Sequence, residues 1–74
     1  MTPDDKRRIN NLAVRAALRS LANTQRVLAG TYRQWAREAE ADGNLEHYRM
    51  YRDEVKRLVG DARWNINHAR IYHG

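Results

Sequence analysis

The chain has 74 residues, no cysteine, and 14 basic against 9 acidic residues, which gives a formal net charge of +5. Without cysteine it has no disulfide, thiolate metal site or cysteine nucleophile, and this composition fits a reducing cytoplasm, where we expect the protein to act. No apolar run approaches the ~20 residues of a membrane span, and the acidic start of the chain is unlike a signal peptide.

The first predicted element is a long helix over about residues 3–41. Thr2 can cap it, Pro3 suits the first helical position, and two aspartates follow. Gly30 lies inside this segment and Thr31 begins a capping-box pattern, so the sequence leaves open a continuous helix or a break near residue 30. Spacings of three and four predict a buried stripe, formed by Val14, Leu18, Leu21, Gln25, Leu28, Tyr32, Trp35 and Ala39.

A turn at residues 42–44 and a second helix over about residues 45–72 follow. Gly43 can adopt the left-handed conformation that closes a helix, and Asn44 can cap the next one. The second predicted stripe consists of Tyr48, Tyr51, Val55, Leu58, Ala62, Asn65, Ala69 and Tyr72.

The sequence therefore predicts an all-α fold: one helical domain over residues 1–74, built as a long hairpin, or as three helices if the first breaks at Gly30. A chain of this length buries only about 60% of the surface of its unfolded state, and two helices cannot enclose a core. We expect a homodimeric four-helix bundle or a complex with another protein to complete the fold.

Charge is unevenly distributed along the chain. No acidic residue occurs between Lys6 and Arg37, none follows Asp61, and 12 of the 14 basic residues are arginine, which contacts phosphate and carboxylate through two hydrogen bonds. Steps of four and seven place the arginines of the first helix on one side, opposite the apolar stripe. We expect these residues to bind nucleic acid, DNA or RNA, or an acidic protein surface. The candidates are Lys6, Arg7, Arg8, Arg15, Arg19, Arg26, Arg33, Arg37, Arg63 and Arg70.

The last third of the second helix is apolar over more than one side, which is typical of a protein interface. The alternative function is therefore a protein-binding adaptor or inhibitor, for example a phage-encoded protein that docks on a host nucleic-acid-processing or defence complex. The low lysine content fits a GC-rich bacterial or phage source. The interface candidates are Trp35, Trp64, Ile66, Ile71 and Tyr72.

Catalytic patterns are missing from the sequence. No two of His47, His68 and His73 have the four-residue spacing that places two ligands on one metal, and the glycines are isolated instead of forming a phosphate-binding loop. We expect no enzymatic activity, no cofactor and no metal site. Binding to a membrane surface is the weakest alternative, because strongly apolar residues are few in the first helix.

Overall fold

The computed structural model describes residues 1–73 and consists of two α-helices joined by a tight turn. Helix α1 spans Pro3–Ala41 and helix α2 spans Leu45–Ala69. They lie side by side in a rod with extents of 61 × 14 × 11 Å, which confirms the predicted all-α helical hairpin. Within the described residues, neither helix has a segment long and apolar enough to cross a membrane.

Local hydrogen bonds fix the start of each helix and the turn between them. The Asp5 amide donates to the Thr2 hydroxyl at 3.2 Å, and the Thr2 amide donates back to the Asp5 carboxylate, so both halves of a capping box are present. Gly43 closes α1 with a φ of 73°, a conformation that other residues rarely adopt. Asn44 then caps α2 by accepting a hydrogen bond from the His47 amide at 3.2 Å. These caps are the predicted ones.

Helix α1 continues through Gly30, so residues 1–73 form two helices and not three. The Thr31 hydroxyl donates to the Val27 carbonyl at 3.4 Å, one turn earlier in the same helix, instead of capping a new helix. The capping-box pattern at this position has no structural counterpart because the hydrogen-bond ladder of α1 already satisfies the backbone there.

Helix α2 ends three residues earlier than the predicted residue 72. The Arg70 amide donates to the Asn67 carbonyl at 3.3 Å, and the Tyr72 amide donates to the Ala69 carbonyl at 3.1 Å. These bonds span three residues instead of four, and they tighten the chain into a turn after Ala69. Residue 74, the last of the predicted domain, lies outside the described residues.

The face of α1 that contacts α2 overlaps the predicted stripe but is shifted by one residue from its largest members. Ala39, Tyr32 and Gln25 of the stripe lie on the contact face. Ala22, Ala29 and Ala36 are buried, whereas Leu21, Leu28 and Trp35 are 48%, 44% and 43% exposed. Alanine lets the two helix backbones approach closely, and the larger side chains of α2 fill the space between them. The predicted stripe of α2 does form its contact face. Its buried members are Val55, Leu58, Ala62, Asn65 and Ala69.

One polar contact crosses this seam and aligns the two helices. The Asn65 side-chain amide donates to the side-chain oxygen Oε1 of Gln25 at 2.8 Å. Because the helices run antiparallel and α1 has 39 residues against 25 in α2, the first turns of α1 extend beyond the end of α2. This overhang of α1, about 20 Å long, has no helix beside it, and residues 3–10 are all exposed.

Candidate functional site

Basic side chains border a long groove between α1 and α2 on one side of the hairpin. The groove consists of three successive depressions along the rod. Its floor is apolar and mostly small, with Ala29, Ala36, Ala62, Ala69 and Val55 among its residues. We call its basic rim the basic face, which comprises Arg15, Arg19, Arg26, Arg33, Arg37, Arg52, Lys56, Arg63 and Arg70.

Heptad spacing produces this arrangement. Arg19, Arg26 and Arg33 are seven residues apart on α1. Lys56 and Arg63 on α2 and Arg70 at its C-cap are also seven residues apart. Residues with this spacing form a row along one side of a helix that packs closely on another, with about 10 Å between successive members. The basic face therefore has two rows of positive charge, one on each wall of the groove.

The positive charges of the basic face are not neutralised by acidic side chains. Within residues 1–73, the ion pairs of the structure join Arg57 to Glu54 and to Asp61, and none of these lines the groove. Arg52 donates to the Tyr48 hydroxyl at 3.2 Å, which leaves its charge in place. Glu40, near the turn, is the one acidic residue that lines the groove in this part of the chain.

The acidic side chains of α2 lie outside the groove, and two of them, Glu54 and Asp61, pair with Arg57. The Arg57 guanidinium donates to both oxygens of Glu54 and, at 3.1 Å, to Asp61. The hydrogen bond from Arg57 lowers the pKa of the Glu54 carboxyl below its usual value, and Glu54 in turn raises the pKa of Arg57. Arg57 is thus the basic side chain of α2 whose charge is neutralised within the hairpin.

The predicted position of the arginines was wrong in one respect. They do not lie opposite the contact face of α1 but directly beside it, and Arg15 is half-buried. The cause is the same one-residue shift that buries Ala22, Ala29 and Ala36. The structure thereby brings Arg63 and Arg70 of α2 next to the arginines of α1.

Three predicted basic residues lie elsewhere, and two groove residues were missed. Lys6, Arg7 and Arg8 are on the overhang of α1, beyond the end of α2. Arg52 and Lys56 were missed because Asp53 and Glu54 stand between them in sequence, which resembles an ordinary mixed surface. The signal that could have found them is the heptad relation of Lys56 to Arg63 and Arg70, together with the four-residue step from Arg52 to Lys56.

The opposite side of the hairpin is apolar and aromatic on α1, whereas on α2 it also carries the ion pairs of Arg57 with Glu54 and Asp61. Trp35 packs edge-on against Tyr32 with ring centroids 5.1 Å apart and lies 5.8 Å from Tyr51 of α2, which is 6.0 Å from His47. Leu28 and Leu21 continue from Trp35 along α1 at seven-residue spacing and are about half exposed. We call this side the apolar face, which comprises Val14, Leu21, Leu28, Trp35 and Tyr51.

The other predicted interface residues are divided among three locations. Trp64 is 61% exposed and stacks on His68 at 4.6 Å, and His68 contacts Tyr72 edge-on at 5.5 Å. Ile66 lines the basic groove beside Arg15 and Arg19, and Ile71 is exposed after the end of α2. The structure therefore does not bring the predicted interface residues together as one patch.

Comparison of the chain with known protein families, with curated proteins and with solved structures gave no match. Within residues 1–73, no group of three or more histidine, aspartate or glutamate side chains is placed to hold a metal ion.

Proposed function

We propose that the protein is a non-enzymatic binding protein whose basic face contacts the phosphate backbone of a nucleic acid. The observation that carries this proposal is the groove with arginine or lysine on both walls and one acidic residue along its length. Neutralisation of backbone phosphates releases bound counterions, which supplies most of the free energy of binding that is independent of base sequence.

The floor of the groove favours contact with the backbone over contact with bases. Alanine, valine and isoleucine side chains form most of it, and these offer neither base-specific hydrogen bonds nor stacking surfaces. Within residues 1–73, Tyr48 is the one aromatic side chain that lines the groove, and Arg52 donates to its hydroxyl and lies over its ring. The exposed tryptophans, which could stack on unpaired bases, lie outside the groove. The basic face runs from Arg15 to Arg37, about 33 Å, which is close to one turn of a DNA duplex.

Fluorescence anisotropy with labelled duplex DNA, duplex RNA and single-stranded DNA, measured from low to high salt, tests this proposal. If four to six phosphates are neutralised per protomer, the logarithm of the affinity should fall with the logarithm of salt concentration at a slope of roughly −4 to −5. Because Tyr48 is the one aromatic side chain along the described groove, we expect a duplex to bind more tightly than a single strand of the same length.

A variant that removes one arginine from each wall of the groove tests whether the groove binds the nucleic acid. Arg26 and Arg63 line the same depression, so the double change Arg26→Gln/Arg63→Gln should weaken binding to every sequence and flatten the salt slope by roughly 1 to 2. The matched control, Lys6→Gln/Arg49→Gln, removes the same charge at two exposed positions outside these depressions. It should bind more tightly than the groove variant.

Two outcomes would count against the proposal. Equal weakening by the two double variants would show that net charge alone, and not the groove, attracts the nucleic acid. Weak binding near physiological salt would instead favour the adaptor or inhibitor function, in which the basic face docks on an acidic protein surface.

A further inference from the structure

We propose that the apolar face binds a second copy of the chain, with the two α1 helices antiparallel, and that both basic faces remain on the outside of the dimer. The contact is made by a row of residues at seven-residue intervals along α1. The row has a cation at one end, an acid at the other and apolar side chains between them. Its members are Arg7, Val14, Leu21, Leu28, Trp35 and Asp42.

The core of a single hairpin is thin. Within residues 1–73, Val55 and Leu58 are the only apolar side chains larger than alanine that are buried. Leu21, Leu28 and Trp35 remain 48%, 44% and 43% exposed although they are the largest apolar side chains on their side of α1. A contiguous exposed apolar surface of this kind marks an interaction site, and burial of each large side chain contributes to association.

The row of α1 is complementary in side-chain size and charge to the same row of an antiparallel second copy. An antiparallel second copy places Leu21 near Leu28 of the other chain and the small Val14 near the large Trp35. It also brings Arg7 near a depression at the turn end of the other hairpin, lined by Glu38 and Asp42 among others. A parallel alignment would instead place each Arg7 beside the other Arg7, which is electrostatically unfavourable.

Charge also favours the apolar face over the opposite one as the contact surface. Two basic faces would repel each other, whereas the row between Arg7 and Asp42 carries no charged residue. The second copy further provides a neighbour for the overhang of α1, which has no helix beside it within one hairpin. The resulting bundle is closed by a two-fold axis near Thr24, midway along the row.

Single cysteines and a short bis-maleimide cross-linker test the orientation, since the natural chain has no cysteine. Thr24→Cys, near the axis, should cross-link to itself. Arg7→Cys and Asp42→Cys should cross-link when mixed and not when alone, because the ends of the row are about 50 Å apart. Val27→Cys, exposed on another side of α1, should not cross-link. Self-cross-linking of Arg7→Cys would overturn the antiparallel arrangement.

Sedimentation equilibrium tests whether the apolar face is the contact surface of the dimer. Leu21→Lys/Leu28→Lys should raise the dimer Kd by about a hundredfold or more, because each dimer buries both residues twice. Val27→Lys/Gln34→Lys is the matched control, since it adds the same two charges at exposed positions on another side of α1, and it should leave the dimer intact. A wild-type chain that stays monomeric throughout the micromolar range, or a control that dissociates equally, would overturn the proposal.

Charge reversal at Arg7 and Asp42 distinguishes loss of the dimer contact from a general effect of substitution on folding. Arg7→Asp alone should raise the dimer Kd by roughly threefold to tenfold, because two exposed ion pairs are lost per dimer. Adding Asp42→Arg should restore the affinity by re-forming each pair with opposite polarity. If the double variant is no tighter than the single variants, Arg7 does not lie near Asp42 of the second copy.

Discussion

Asn65 is the buried polar residue of the seam between the two helices. It is 6% exposed, and its amide donates to Gln25 across the hairpin at 2.8 Å. A buried amide is tolerated where its hydrogen bond is made, and shifting the helices along each other by one turn would break this bond. The Asn65–Gln25 pair therefore selects one alignment of α1 against α2, which a seam of similar alanines specifies only weakly.

Replacement of Asn65 by alanine should lower the free energy of unfolding by about 1–2 kcal/mol, because it removes this hydrogen bond and leaves a small cavity. Urea denaturation followed by circular dichroism measures the change. Asn67→Ala, on the exposed side of the same helix, is the control and should be nearly neutral. Equal stability of the two variants would show that the Asn65–Gln25 contact does not support the hairpin.

Sequence patterns located the local features of this fold better than the contact face of α1. The caps at Thr2, Gly43 and Asn44 depend on neighbours within a few residues, so the sequence specifies them directly. The choice between Leu28 and Ala29 as the residue that faces α2 depends on how closely the two backbones approach. A prediction based on the size of apolar side chains places Leu28 at the contact, whereas the structure buries Ala29.

Helix α1, at 39 residues, is much longer than most helices of globular proteins, which average about 10–14 residues. The helix is continuous because its backbone hydrogen bonds are unbroken and no proline occurs after its first turn. Gly30 lowers the stability of the helix without interrupting it. The distribution of charge was predictable at this scale, because an acid-free segment of a helix remains basic on whichever side it faces. The basic wall that α2 contributes to the groove was not predictable in this way, since it depends on how the two helices pair.

Alanine at Gly30 should stabilise the protein by about 0.5–1 kcal/mol, because it reduces the entropy of the unfolded chain and suits a helix interior. A Cβ there meets nothing within 4 Å, and the same holds at Gly60, where we expect the same gain. Gly43→Ala should instead destabilise the turn by about 1 kcal/mol, since its φ of 73° is left-handed. Thermal denaturation of the three variants checks this order; a destabilised Gly30→Ala would mean that α1 bends at that position in solution.

At the scale of the whole molecule, the two contacts that we propose use different sides of the hairpin. The basic face presents unpaired positive charge, and the apolar face presents leucine and aromatic side chains. Because these surfaces lie on opposite sides of the hairpin, one can bind a polyanion while the other binds a second copy. A dimer would then carry two basic grooves, and it could bind two segments of one nucleic acid with higher apparent affinity than a monomer.

Amide hydrogen exchange in the overhang of α1 should report the oligomeric state of the protein. An unsupported helix of about 12 residues is only marginally stable in water, so the amides of residues 4–12 should exchange rapidly with deuterium in the monomer. In the antiparallel dimer this segment lies along the turn end of the second copy, and its exchange should slow as protein concentration rises. The Leu21→Lys/Leu28→Lys variant should show fast exchange at every concentration. Rapid exchange of residues 4–12 in a chain that sediments as a dimer would show that α1 meets the second copy in another orientation.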